Sequence, residues 1–242
     1  MMEIILCIPG RWKDRSEFVM AVAGANLNEY IFAGNILLHL PTKESFEIDF
    51  QQRDEELQLS FQAAGQGRLT ETELNKIGHH TFIAYLIGKG GDQAGAARVM
   101  IAAGAILNAG GLGVKVETSG KAFSASQWTE ISSDEEASKF FDAFILLLRE
   151  ETGAIYSCGL HNIGLRDIIC DPALEIDAAI DLIRIFIFYQ LYDKPAIQSG
   201  QTFSKDADAP VFRIIEETCK TYDRDDLFFN PFGMYYLQAL RN

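Results

Sequence analysis

Residues 81–117 read TFIAYLIGKGGDQAGAARVMIAAGAILNAGGLGVKVE. An apolar run (Thr81–Ile87), a Gly-rich loop (Gly88-Lys89-Gly90-Gly91), a helical stretch (Asp92–Asn108) and a second apolar run (Val114–Glu117) follow in order. That order predicts a βαβ unit with parallel strands and a right-handed crossover. Ala94, Gly95, Ala96, Ala97, Ala102, Ala103, Gly104 and Ala105 leave the helix with little bulk, so its backbone can approach a sheet or another helix closely. It is expected to be central, with Gly110-Gly111 stopping it.

Upstream, Glu3–Ile8 reads as a buried strand ended by Pro9-Gly10, and Asp14 with Glu17 as the capping box of a helix. Tyr30–Ala33 and Ile36–Leu40, joined by Gly34-Asn35, read as a hairpin. Phe46, Ile48 and Phe50, then Leu57, Leu59 and Phe61, alternate with polar residues and predict two further strands with one wet face. Thr70 with Glu73 caps a short helix.

Downstream, Ser133 with Glu136 opens a helix reaching Leu148. Ala154–Cys158 and Asp167–Cys170 read as strands, and Asp171-Pro172 starts a long helix that is apolar nearly all round. Strands are expected near Ile197–Phe203, Val211–Glu216 and Met234–Leu237. The fold class is α+β: a mixed sheet with antiparallel hairpins early and at least one parallel βαβ unit, packed by four or five helices. No Pro-, Gly- or Ser-rich linker interrupts the chain, so 1–242 reads as one domain. A weak echo of duplication divides it into halves near 1–120 and 121–242.

The 242 residues are 48% hydrophobic and 23% charged, which gives enough apolar surface for a full core without disulfide or metal. Net charge is −13, from 34 acidic and 21 basic residues. Such a field repels nucleic-acid backbones and anionic lipid, so neither is expected as a partner, whereas a basic protein is. The densest basic group is only Arg11, Lys13 and Arg15. The start of the chain lacks the basic flank of a signal peptide. Ile176–Tyr192 contains Asp177, Asp181 and Arg184, which argues against a membrane span. Cys7, Cys158, Cys170 and Cys219 are widely spaced and sit in or beside apolar stretches, as buried thiols in a reducing compartment do. The cytoplasm is the expected location.

Three features bear on chemistry. Gly88, Gly90 and Gly91 lie between a strand and a helix, where backbone N–H groups can hold an anion. Gln93 breaks the dinucleotide fingerprint, however, and Lys89 is followed by Gly90 and not by Ser or Thr. His39, adjacent His79 and His80, and His161 do not have metal-ligand spacing, so neither a metal nor a cofactor is expected. Cys158 and His161, three residues apart, with Asp167 close behind, are the nearest approach to a nucleophile, a base and an orienting acid. The aromatic residues Tyr222, Phe228, Phe229, Phe232, Tyr235 and Tyr236 form a core or a partner-facing patch.

Several phrases resemble the bacterial uncharacterised domain-of-unknown-function family 4261. They are Phe46-Glu47-Ile48 leading to Arg53-Asp54, then Gly110-Gly111-Leu112-Gly113-Val114-Lys115-Val116-Glu117 followed by Ser119-Gly120 and Trp128. Gly200-Gln201-Thr202-Phe203 and Asn230-Pro231-Phe232-Gly233 continue the pattern. The resemblance implies a bacterial intracellular setting and carries over no residue roles. Two readings of function remain. One is a non-enzymatic binding or interaction protein with an acidic surface, such as a neutraliser of a basic partner. The alternative is an enzyme with a site around Cys158, His161 and Asp167.

Overall fold

The apolar run at the start forms strand β1 (Glu3–Gly10) of a computed structural model that describes residues 2–27 and 29–240. The chain divides into two compact units, Met1–Glu135 and Glu136–Asn242. The division thus falls beyond the 120/121 midpoint suggested by the sequence echo.

In the first unit β1 is followed by helix α1 (Arg15–Ala25), β2 (Tyr30–Ala33), β3 (Ile36–His39), β4 (Glu44–Gln52), α2 (Leu57–Gly65) and α3 (Glu71–Gly78). Then come β5 (Phe82–Lys89), α4 (Gln93–Asn108), β6 (Gly113–Val116), β7 (Lys121–Ser124) and α5 (Ala125–Ser133). Seven strands make one sheet in the order β2-β3-β4-β5-β1-β6-β7, and every neighbouring pair is antiparallel. The βαβ connection over 81–117 exists, but β1 lies between β5 and β6. The two strands run in the same direction without touching, so the expected adjacent parallel pair is replaced by a split one. A sequence pattern fixes the crossover and cannot show that the first strand of the chain inserts into it.

Period-two alternation gives this sheet two distinct faces. One presents Ile4, Leu6, Ile8, Phe46, Ile48 and Leu86, all buried. Helix α4 packs against β1 and β5 and touches α1 and α5, which makes it central to the unit as expected. A Cβ at Gly88 would lie 2.5 Å from Val99 Cγ2, so glycine there lets α4 approach β5. The Trp128 indole is fully buried and donates to the Met100 carbonyl at 3.2 Å, tying α5 to α4. On the opposite face α2 and α3 cover Cys7, Ile83 and Ala122 with Leu57, Phe61 and Ile77.

Residues 57–65 are helical, not a strand. Leu57 and Phe61, four apart, point into the core while Leu59 is 60% exposed, so the apparent period of two is one helical stripe plus a stray leucine. The Thr70–Glu73 capping box forms as predicted.

The second unit contains α6 (Ser138–Phe144), β8 (Leu146–Arg149), β9 (Ile155–Cys158), a single 3-10 turn (Leu160–Ile163), β10 (Asp167–Cys170), α7 (Ile176–Tyr192), β11 (Thr202–Phe203), β12 (Phe212–Glu217) and β13 (Met234–Ala239). Its sheet has the order β11-β12-β13-β10-β9-β8 and is mixed, with β10 and β13 parallel. Helix α7 packs on β9 and β10. Phe186 on α7 meets Phe203 and Tyr235 edge to face at 4.8 and 5.9 Å. Cys219, Tyr222 and Phe228, from the long β12–β13 connection, pack against Tyr156, Cys158 and Met234.

Among the described residues seven α-helices form in place of the expected four or five. The helix expected from Ser133 to Leu148 is cut at Phe144, because Leu146–Arg149 pairs with β9. Asp171 caps only a turn, through Ala173 N–H at 3.0 Å, and α7 starts after Glu175. Among the described residues no helix is long and apolar enough to cross a membrane.

Candidate functional site

The strands β9 and β10 carry Cys158 and Asp167 toward each other, with the turn bearing His161 between them. Gly159 (φ 112°) and Gly164 (φ 78°) bracket that turn in left-handed conformations, so the chain reverses within a few residues. His161 and Asn162 are fully buried, and the Asn162 side chain donates to the Gly159 carbonyl at 2.9 Å.

Asp167 is the only buried carboxylate among the described residues. Its Oδ1 accepts from Ser157 Oγ and from the Leu160 amide, each at 3.2 Å, and its Oδ2 accepts from Asn230 Nδ2 at 2.7 Å. Ser157 Oγ in turn accepts from the Ile168 amide at 2.8 Å. Asn230 Nδ2 also donates to the Leu165 carbonyl at 3.0 Å, while its Oδ1 accepts from Phe232 N–H at 2.9 Å. Burial pushes the Asp167 carboxyl up to about 7, against the three donors from Asn230, Leu160 and Ser157, which favour its charge.

Cys158 sits in the cluster with Tyr156 and Met234, and its thiol contacts the Tyr222 hydroxyl. Burial first, and the neighbouring Asp167 carboxyl second, push that thiol well above its ordinary value. A thiol nucleophile requires the reverse: exposure and a positive neighbour that favour thiolate. Cys158 and Asp167 are therefore brought together, but as members of a polar knot that ties β9, β10 and the β12–β13 connection. Ser157 and Asn230 belong to that knot, and no sequence motif marks them. Asn230 lies 63 positions from its carboxylate partner, and its one mark in the sequence is its place in the Asn230–Gly233 phrase.

The Gly-rich loop is partly taken up by the fold. Gly88 lies inside β5, opposite Ile4, and Gly90 N–H already donates to the Met2 carbonyl at 2.9 Å. At the start of α4 the Asp92 carboxylate accepts from Gly95 N–H at 2.6 Å and so takes the place an anion would need.

A different surface is partly exposed. On the face of the first sheet opposite α4, the register sets Glu47, Ile87 and Ile5 in one row and Asp49, Tyr85, Cys7 and Lys115 in the next. Ile5, Tyr85 and Ile87 are half-buried, while Glu47 and Asp49 are exposed. Ile36, opposite Glu47 on β3, is 43% exposed. Glu3 stands opposite Lys89, and Lys115 pairs with Glu117 at 2.9 Å. Glu47 and Asp49 are thus the carboxylates on this face that have no lysine across from them.

No family model matches the chain, and neither a curated protein nor a solved structure matches it.

Proposed function

We propose that this chain is a non-enzymatic binding protein of the bacterial cytoplasm whose acidic surface docks on a basic protein partner, and that it belongs to the uncharacterised family 4261 it resembles. The observation that carries the reading is the distribution of charge. The net charge is −13, and every described carboxylate except Asp167 is at least partly exposed to solvent. Surplus charge placed this way steers a partner of opposite sign and repels nucleic acid. The resemblance phrases also fall on scaffold positions, such as buried Trp128 and the Asn230 turn, as expected of a shared framework without a shared reaction.

The enzyme reading keeps one supporting feature, a carboxyl moved to about 7 beside a thiol. The direction of the Cys158 shift weighs against it. The test is purification of the native protein from its own cells at low and at high salt. A stoichiometric basic partner that leaves as ionic strength rises supports the reading. A chain that comes through alone at low salt, or with an acidic partner, overturns it.

A further inference from the structure

We propose that the partly exposed face of the first sheet is the docking site, and that its occupant is a basic amphipathic helix of the partner protein. The proposal rests on the acidic-binding reading and adds to it a place and a shape. Half-buried Ile5 on β1 and Ile87 on β5 make an apolar strip two strands wide, bordered by Glu47 and Asp49 on β4 and by the Lys115–Glu117 pair next to β1, while Tyr85 packs against the cluster under α2 and α3. Strands lie about 4.8 Å apart, so the distance from β4 to β6 is about 14 Å. A helix with its side chains is about 10–12 Å across. One helix therefore fills the strip.

Backbone chemistry selects a helix over an extended segment. Strands β4, β5 and β1 each have a strand on both sides, so their N–H and C=O groups are taken up in the sheet. An extended peptide laid on this face would gain no ladder, whereas a helix satisfies its own backbone. Charge sets the orientation. The flank over β4 carries Glu47 and Asp49 without a facing lysine, so the helix places its Lys or Arg residues there and its leucine-like stripe over Ile5 and Ile87. The far end of the strip is closed by α2 and α3 over Cys7 and Ile83, which limits the contact to a few turns.

The test uses the full chain labelled with 15N and a synthetic helical peptide of about 18 residues, roughly 27 Å long, with leucines on one face and lysines on the rest. A second peptide replaces the leucines with serines at equal charge. The leucine peptide is expected to shift amides of residues 3–7, 45–51 and 83–87. Binding should weaken about ten-fold or more, on the order of 1.4 kcal/mol, both in the Glu47→Lys/Asp49→Lys variant and with the serine peptide. Asp225→Lys/Asp226→Lys should bind as the wild type does. Binding that survives the β4 variant, shifts centred elsewhere, or equal binding of the serine peptide would overturn the proposed face while the acidic-binding reading stands. Failure of both peptides at low ionic strength would overturn the helical occupant, and the native purification would still decide the acidic-binding reading.

Discussion

Asp49 and Asp167 are both strand aspartates, and their surroundings differ. Asp49 stands on the wet face of β4, beside half-buried Tyr85, with Gln51 donating to it at 2.6 Å at the surface. Asp167 is enclosed at the start of β10 and is held by Ser157, Asn230 and the Leu160 amide. Hydrogen bonds at the first site exchange with water and contribute little to the fold, which leaves the carboxylate available to a partner. Those at the second replace water altogether, so the same group becomes structural. A perturbed carboxyl can thus mark a knot in the fold.

The sharpest ways to break this contrast compare covered with open positions in each unit. Phe61→Ala, beneath α2, should cost about 3–5 kcal/mol, whereas Leu59→Ala on the same helix should stay within about 0.5 kcal/mol. Urea unfolding of the two variants checks it, and equal losses would contradict the helical placement. Next in size, Asn230→Ala strips Asp167 and the Leu165 carbonyl of a buried donor and should cost about 1–3 kcal/mol. Asp49→Ala should be nearly neutral. If Asn230→Ala were as mild as Asp49→Ala, the knot would have no structural weight.

Two smaller effects depend on pH. Native Asp167 holds its proton up to about 7, while the unfolded group loses it near 3.8. Between those values the native state binds more protons, so this group makes stability fall as pH rises and then level off above 7. Asp167→Asn should remove that slope, which urea titrations at several pH values between 4 and 8 would detect.

His80 works in the opposite sense. Its Nδ1 lies 2.7 Å from the Ile77 carbonyl and its Nε2 accepts from the Asp54 amide at 3.1 Å, which fixes the neutral tautomer with the proton on Nδ1. Burial lowers its pKa below 6.5. Its contribution is complete above 6.5 and is lost as pH falls through the lowered value, so His80→Gln should flatten the acid side of the stability profile. The smallest effect on stability, within about 0.5 kcal/mol, is expected for Glu47→Gln with Asp49→Asn, although the same pair should weaken binding of a cationic helix.

Local punctuation was readable where each element carries its own signal. The Thr70–Glu73 box, the Gly34-Asn35 hairpin and the strand–helix–strand order over 81–117 all rest on neighbours in sequence. Insertion of β1 between β5 and β6 was not readable, because it depends on pairing across about eighty positions or more. Leu57, Leu59 and Phe61 fit both periods, and only the packing of Phe61 beside Cys7 and Ile83 decides for helix. Of the candidate site, the sequence places Asp167 close enough to orient His161. Its donors come from two places in the chain, Ser157 and Leu160 around Cys158 and Asn230 far downstream, and no spacing rule joins them.

Residue-resolved alkylation of the four thiols in the folded protein at neutral pH, read by mass spectrometry, tests most directly whether the Cys158–Asp167 cluster serves the fold and not a reaction. Partly exposed Cys219 should react first, with Cys7, Cys158 and Cys170 labelled only as fast as the chain opens. Labelling of Cys158 ahead of Cys219 would reveal an accessible, activated thiol and contradict the account.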